Sequence, residues 1–287
     1  MQANMNLPYD EDYLREMELW PFFEMQQRTV AELAGSPAVV AAERETRAPA
    51  AAERAHAPER AHQQRPSAPT PPPGSRHDAR PRAAIPTAPP ARPPDPARLA
   101  RIAQLDWEGL KADAAACTAC GLCKQRKQAV LGVGAIDAPW LFVGEGPGAE
   151  EDERGEPFVG QAGKLLDAML AATGLQRGRE VYIANVVKCR PPGNRNPSPE
   201  EAAACAPYLE RQMDLIKPKL IVALGKIAVT RLTGSEASMA AMRGQLHAYR
   251  GIPLVATYHP AYLLRNLPDK VKAWEDLMLA KRTITGL

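Results

Sequence analysis

Residues 140–163 read WLFVGEGPGAEEDERGEPFVGQAG, and they decide both the fold and the candidate site of this chain. The apolar run from Trp140 to Val143 has the length of a buried strand, and glycines follow it at once. Glycine lets the backbone approach a ligand closely, and such turns after strands often bind phosphate. Here, however, a run of carboxylates follows the glycines, which disfavours a bound phosphate.

Two phosphate-binding motifs fail at this turn. Gly144 and Gly146 fit a dinucleotide-binding loop, but Pro147 and the acids stand where its helix should begin. The segment GQAGKL carries Leu165 where a Walker loop needs Ser or Thr to bind magnesium. We therefore expect a flat ligand against the turn, with carboxylates beside it.

Strand-length apolar runs alternate with helix-length patterns through the C-terminal part of the chain. The alternation predicts an α/β fold of three layers, α/β/α, around a central, mainly parallel four-stranded sheet. In such sheets, binding residues cluster beyond the carboxyl ends of the strands. The predicted strands are 140–143, 181–187, 220–224 and 254–257, and the predicted helices are 163–173, 198–216 and 226–232.

Composition divides the chain into three parts. Residues 1–34 hold seven acids against two bases, and they predict either a helix folded onto the domain or a docking segment for a protein partner, anchored by Trp20 and Phe23. Residues 35–100 hold 15 of the 29 prolines and predict a disordered linker. Residues 101–287 form the domain, whose 24 Lys and Arg against 20 Asp and Glu permit nucleic-acid binding.

The chain carries no apolar run that predicts a membrane span and no secretory signal at its N-terminus. Its five cysteines, an odd number, suit a reducing compartment. We therefore expect a cytoplasmic protein, associated with the nucleoid when it works, and a monomer.

The cysteines predict a four-ligand metal site with one thiol to spare. A C-x-x-C pair points two thiolates at one centre, and two later cysteines, with fifteen residues between them, can join the pair. Four thiolates suit either zinc or a [4Fe-4S] cluster, and the spacing does not decide between them. The five are Cys117, Cys120, Cys123, Cys189 and Cys205.

Four motifs follow one another in the domain: GEGPGAEEDERGEPFVGQAGKLLD, NVVKCRPPGNRNPSPEE, LGKIA and TYHPAYLLR. Together they resemble the motif series of family 4 uracil-DNA glycosylases, over residues 113–279. The resemblance implies a monofunctional enzyme of base-excision repair that removes uracil from single- or double-stranded DNA and leaves an abasic site. It also implies a [4Fe-4S] cluster, to which Cys123 would be extra. The implied ligands are Cys117, Cys120, Cys189 and Cys205.

The resemblance also implies roles for individual side chains. Phe158 stacks on the flipped uracil, the Asn185 amide pairs with uracil O4 and N3–H, and Glu151 excludes the methyl group of thymine. His259 stabilises the departing uracil anion, and Glu145 is the nearest carboxylate for activating water. The remaining expected contacts are Gly144 and Gly146 with the base, and Leu263, Leu264, Arg265, Arg190 and Arg195 with DNA.

Two other classes of function compete with this interpretation. One is a non-catalytic Fe–S DNA-binding module, associated with replication and recruited through the N-terminal segment. The other is an electron-transfer protein, which a single cluster held by widely separated cysteines disfavours. A related group that traps DNA covalently uses a histidine after the second strand, and RPPGNRNPSP contains none.

Overall fold

The computed structural model describes residues 95–286. The acidic segment 1–34 and residues 35–94 of the predicted linker lie outside the described part, so their functions stay predictions. Helix α1, Pro96–Gln104, begins inside the range 35–100 that was predicted as linker. Asp95 caps it by accepting a hydrogen bond from the Ala97 N–H at 3.0 Å. The folded domain therefore includes residues 95–100, which the sequence pattern had assigned to the linker.

The domain is built on one sheet with the strand order β1-β3-β2-β4-β6-β5. The four inner strands run parallel and coincide with the four that the sequence predicts, so the predicted fold class is confirmed. Two edge strands, β1 and β5, pair antiparallel and were not predicted. The strands are β1 (Val133–Gly134), β2 (Trp140–Gly144), β3 (Val181–Asn185), β4 (Leu220–Leu224), β5 (Leu246–Tyr249) and β6 (Ile252–Thr257).

The edge strands escape prediction because they lack a buried apolar run. Strand β1 has two residues, and β5 alternates exposed with partly buried positions. The inner strands β2, β3 and β4 are buried throughout. A continuous apolar run is typical of a strand that is covered on both faces.

Helices cover both faces of the sheet and give the three layers. Successive strand residues point to opposite faces, so Leu141 packs in one apolar cluster and Phe142 in the other. Besides α1, the helices are α2 (Trp107–Ala116), α3 (Ala149–Arg154), α4 (Gln161–Ala172), α5 (Pro199–Ile216), α6 (Lys226–Thr233), α7 (Met239–Met242), α8 (Pro260–Leu263) and α9 (Lys270–Thr285). The larger cluster includes buried residues of α1, α2, α5 and α6, and the smaller includes those of α4 and α9.

The predicted start of α5 is confirmed by its capping hydrogen bonds. The Ser198 hydroxyl accepts from the Glu201 N–H at 3.2 Å, and the Glu201 carboxylate accepts from the Ser198 N–H at 2.8 Å. This reciprocal pair satisfies donors that a helix start leaves free. Within the described range, every helix is too short or too polar to cross a bilayer.

The carboxyl ends of the parallel strands meet along one edge of the sheet. Gly144 stands opposite Asn185 in the register of β2 and β3, and Leu224 stands opposite Thr257 in that of β4 and β6. The loops that follow these ends are therefore neighbours, and they hold most of the predicted site residues.

Candidate active site

The loops at this edge enclose a cavity of about 360 Å³. Its walls come from the turn after β2, the segment before α4, the end of β3, the loop after β3 and the segment after β6. A concave site at strand ends is the usual place for a ligand in this class of fold. Eight predicted site residues line it: Glu145, Gly146, Glu151, Phe158, Asn185, Arg195, His259 and Arg265.

Gly144 lies beneath the cavity and makes room for two of its side chains. A Cβ at this position would stand 2.5 Å from Asn185 Oδ1 and 2.6 Å from Phe158 Cζ. Both distances are below any that real Cβ atoms adopt, so a larger residue would displace these groups. Glycine is required here because the Asn185 and Phe158 side chains pack against its Cα. The backbone itself does not require glycine, since the φ of Gly144 is not positive.

Asn185 lines this site and carries a buried side-chain oxygen without a partner among the described residues. The residue ends β3 and is only 2% exposed, and its Oδ1 has no hydrogen-bond partner among residues 95–286. Buried side-chain oxygens nearly always have a partner, and leaving one unpaired costs free energy. The amide oxygen is therefore suited to accept a hydrogen bond from a ligand N–H.

Phe158 is held in a backbone conformation that non-glycine residues rarely adopt. Its φ is +55°, and its carbonyl oxygen would be 1.8 Å from a Cβ at Gly163. The Arg177 guanidinium donates to the carbonyl oxygens of Pro157 and Phe158, each at 2.9 Å. The Phe158 side chain packs into the smaller apolar cluster and also lines the cavity.

Glu151 braces two segments of the cavity wall. Its Oε2 accepts from the Gly148 N–H at 3.1 Å, and its Oε1 accepts from the N–H groups of Val159 and Gly160 at 3.0 and 3.2 Å. The carboxylate thus links the glycine turn to the Phe158 segment. Sequence reasoning gave Glu151 a ligand contact and missed this bracing, whose only signal was an acid in the first turn of α3.

His259 is a neutral imidazole with a fixed tautomer. Burial lowers its pKa to about 4, and the charge of Arg265 acts in the same direction while Glu151 opposes it. Its Nδ1 accepts from the Ala261 N–H at 3.1 Å. Since Nδ1 is the acceptor, Nε2 carries the proton and is available as a donor. The ring stacks on Phe158 with 5.4 Å between centroids.

Glu145 is the second titratable group of interest in the cavity. It lines the cavity directly after β2, and burial raises the pKa of its carboxyl group. A carboxylate with a raised pKa is a better proton acceptor than an ordinary one.

The segment after β6 holds three residues that were predicted to contact DNA, and one of them is buried whereas two are exposed. Leu263 is fully buried in the smaller apolar cluster, so the prediction that it enters DNA is corrected. It lies on the inner side of α8, where its side chain contributes to folding. Leu264 is 42% exposed, and the neighbouring Arg265 is exposed and lines the cavity.

The two arginines of the loop after β3 already have protein partners. Arg195 forms a two-point ion pair with Glu201, at 2.7 and 2.8 Å, and thereby extends the cap of α5. Arg190 Nε donates to Asn194 Oδ1 at 2.7 Å. These bonds fix the shape of a loop that lines the cavity at Asn194 and Arg195.

The five thiols line a second, smaller cavity. Within the described range, no three metal-binding side chains stand close enough to share one ion. The donor set of this cavity is all sulfur, which suits either zinc or an iron–sulfur cluster. The lining cysteines are Cys117, Cys120, Cys123, Cys189 and Cys205.

Besides Arg98, whose Nη2 donates to Cys117 Sγ at 3.7 Å, two basic residues contact the thiols, and sequence reasoning missed all three contacts. Arg126 Nη1 donates to Cys189 Sγ at 2.8 Å, and the backbone N–H of Lys188 donates to Cys205 Sγ at 3.2 Å. Sulfur ligands in proteins commonly accept such bonds from surrounding donors. The sequence signalled only that Arg126 and Lys188 each lie near a cysteine.

A protein-family model described as the Uracil DNA glycosylase superfamily matches residues 131–278, which is more than half of the chain. The chain belongs to the uracil-DNA glycosylase superfamily. It is 46% identical over 172 residues to the type-4 uracil-DNA glycosylase of Thermotoga maritima, covering 58% of this chain and 89% of that protein. With the type-4 uracil-DNA glycosylase of Pyrobaculum aerophilum it shares 47% identity over 171 residues, covering 57% and 87%.

Similarity to type-5 uracil-DNA glycosylases is weaker. The type-5 uracil-DNA glycosylase of Pyrobaculum aerophilum is 32% identical over 150 residues, covering 46% of this chain and 66% of that protein. The predicted resemblance to family 4 uracil-DNA glycosylases is therefore confirmed. The superfamily match begins at residue 131, so it includes Cys189 and Cys205 but neither Cys117 nor Cys120.

Proposed function

We propose that this protein is a monofunctional uracil-DNA glycosylase of DNA repair, which hydrolyses the N-glycosidic bond of uracil in DNA and leaves an abasic site. The observation that carries this proposal is the cavity at the strand ends. There the unpartnered Asn185 oxygen and the neutral His259 lie in a chain whose relatives are type-4 uracil-DNA glycosylases. These features favour catalysis over a non-catalytic DNA-binding module.

Recognition of uracil falls to the Asn185 amide. A base must leave the stack before its glycosidic bond can be reached. In the cavity, Asn185 Oδ1 would accept from uracil N3–H, and Nδ2 would donate to O4. Cytosine presents the opposite pattern at these positions and would leave both amide groups unpaired. A buried polar site rejects such a mismatch strongly.

The neutral His259 is suited to stabilise the leaving group. Bond cleavage builds negative charge on the departing base, and the Nε2–H would donate to uracil O2 as that charge develops. The Ala261 N–H holds the tautomer that makes this possible. Glu145, with its raised pKa, would accept a proton from the attacking water.

Exclusion of thymine falls to the rigid turn beside α3. Glu151 accepts three backbone N–H bonds, so its carboxylate cannot easily move aside for an extra methyl group. We infer that this fixed carboxylate occupies the space beside C5 of the base.

Contacts with DNA come from the segment after β6 and the loop after β3. The exposed Leu264 would fill the gap left by the flipped base, as apolar wedges do in other DNA complexes. Arg265 and Arg190 would contact phosphates. Arg195 would act through its ion pair with Glu201, by holding the loop in shape.

A [4Fe-4S] cluster would be held in the thiol cavity by Cys117, Cys120, Cys189 and Cys205, with Cys123 as a spare thiol. When bound, the cluster supplies a cross-link between the end of α2, the loop after β3 and α5. The protein partner of residues 1–34, the monomeric state and the cytoplasmic location stay predictions.

The function is tested with an end-labelled oligonucleotide that contains one uracil, followed by alkaline cleavage of abasic sites. After the alkaline step, DNA treated with the wild type should be cleaved at uracil, and a thymine control should stay intact. Asn185→Ala and His259→Ala should each lose at least about 100-fold in rate, in the range of other removed transition-state contacts. His247→Ala is the matched control, because this histidine lies outside the cavity on β5. Wild-type protein that binds DNA and loads iron but never excises uracil would overturn the proposal.

A further inference from the structure

Lys188 is a buried cation between the two cavities. It follows β3 and is 1% exposed, a position that lysine almost never takes unless it is paired. Its Nζ donates to the backbone carbonyl oxygen of Asn185 at 2.8 Å. Its own N–H donates to Cys205 Sγ at 3.2 Å. Lys188 therefore contacts both Asn185, the residue proposed to bind uracil, and Cys205, a proposed ligand of the cluster.

One carbonyl partner does not balance a buried ammonium charge, since isolated charges are costly in a protein interior. Lys188 directly precedes Cys189 in the chain and lines the thiol cavity together with Cys189 and Cys205. Both sulfurs are thiolates when they bind iron. The charge on Lys188 is thus balanced by the same atoms that would hold the cluster.

We propose that Lys188 is a positioning residue that couples the iron–sulfur cluster to the uracil pocket. The inference rests on the proposed function. The cluster thiolates stabilise the ammonium group in its buried position, and the ammonium group fixes the Asn185 carbonyl. Because Asn185 is the last residue of β3, fixing its backbone sets the direction of its amide in the cavity. Neither contact belongs to the reaction itself, so Lys188 acts only through its neighbours.

The test uses Lys188→Met, which keeps the length of the side chain but removes its charge and its donors. Lys281→Met is the matched control, since Lys281 is exposed on α9. Lys188→Met should lower single-turnover uracil excision and hasten iron release to a chelator, each by about 10- to 100-fold, the range for lost outer contacts of metal ligands. Affinity for thymine-containing DNA should not change. An unchanged rate of iron release or of excision would overturn the coupling.

A second measurement asks whether Lys188 acts through Asn185. The readout is the equilibrium binding preference for uracil-containing over thymine-containing DNA, in Lys188→Met, Asn185→Ala and the double variant. Lys188→Met should reduce the preference in the wild-type background and leave it unchanged in the Asn185→Ala background, because residues that act as a unit are not additive. Equal reductions in both backgrounds would contradict the proposal.

A third arm does not require Lys188→Met to fold. Iron is stripped anaerobically from wild-type protein and from Asn185→Ala, and folding is followed by circular dichroism. The preference for uracil should fall in the wild type and stay unchanged in Asn185→Ala, whereas an unchanged wild-type preference would refute the coupling. If wild-type protein never excises uracil, the proposed function fails. The comparison of iron release still tests the contact of Lys188 with Cys205.

Discussion

Gly144 has no side chain, and this leaves the space that Asn185 and Phe158 occupy beside the cavity. We expect Gly144→Ala to lower uracil excision by at least about 10-fold, because its methyl group would overlap Asn185 Oδ1 and Phe158 Cζ. Overpacking of this kind costs about 1–3 kcal/mol of stability. Single-turnover excision and urea unfolding would measure the two effects separately. Gly121→Ala is the control, since a Cβ there meets nothing within 4 Å. Equal activities of the two variants would show that the site tolerates the methyl group.

The buried imidazole of His259 determines how the protein should respond to pH. Burial lowers the pKa of His259 to about 4, below the value of about 6.5 in an unfolded chain. Its contribution to stability is therefore complete above pH 6.5 and is lost as the pH falls through 4. The rate of uracil excision should therefore show no change near pH 6.5 that comes from protonation of His259. If the wild-type excision rate halved near pH 6.5, and no other residue accounted for that pH dependence, the result would contradict a neutral buried imidazole.

The stability part of this prediction needs a comparison with His259→Ala. Wild-type unfolding free energy should fall more steeply than that of the variant between pH 6.5 and 4.5. Asp276 acts in the opposite direction, because burial raises its pKa to about 6. Its contribution is complete below pH 3.8 and is lost as the pH rises through 6. Since Asp276 is present in both proteins, its effect cancels in the difference, which urea titrations at each pH would measure.

At the scale of elements, the segment between α3 and α4 is held by contacts from outside itself. Arg177→Lys should lower the rate of uracil excision by about 10-fold. The two guanidinium nitrogens of arginine donate separately to the carbonyl oxygens of Pro157 and Phe158, and the single ammonium group of lysine cannot reproduce this geometry. The left-handed Phe158 backbone would then relax and move its ring. The effect should appear in both single-turnover rate and uracil affinity.

Arg179→Lys is the matched control for this element. Arg179 is exposed in the same loop, and its contacts are with Gln176 and Glu180. If both variants lost activity equally, the loop as a whole would be responsible and Arg177 would have no special part. A melting temperature lowered only in Arg177→Lys would accompany the expected result.

How well the sequence predicts each element follows from where its partners lie in the chain. The inner strands and the start of α5 at Ser198 depend on local patterns of burial and hydrogen bonding, and they were predicted correctly. The conformation of Phe158 depends on Gly163 and Arg177, whose contacts with it no local pattern reveals. Leu263 and Leu264 are adjacent and chemically identical, so only the packing of α8 distinguishes the buried one from the exposed one.

At the scale of the whole molecule, most of the predicted site residues lie together because the family motifs stand at the ends of parallel strands, which the fold brings together. The two cavities were predicted separately, one from the motifs and one from the cysteines. Their connection through Lys188 could not be predicted, because it depends on a buried side chain turning from one cavity towards the other. Connections of this kind require the tertiary structure.

The cysteine cavity joins parts of the chain that are far apart in sequence, from the end of α2 at Cys117 to α5 at Cys205. Binding one group at both places closes a long loop and links metal affinity to folding. We expect Cys120→Ser to lose most of its iron and to melt at a lower temperature, whereas Cys123→Ser should keep both iron content and melting temperature. Iron analysis and thermal unfolding of anaerobically purified protein would compare them. If Cys123→Ser loses iron while Cys120→Ser retains it, Cys123 is a ligand and Cys120 is the spare thiol.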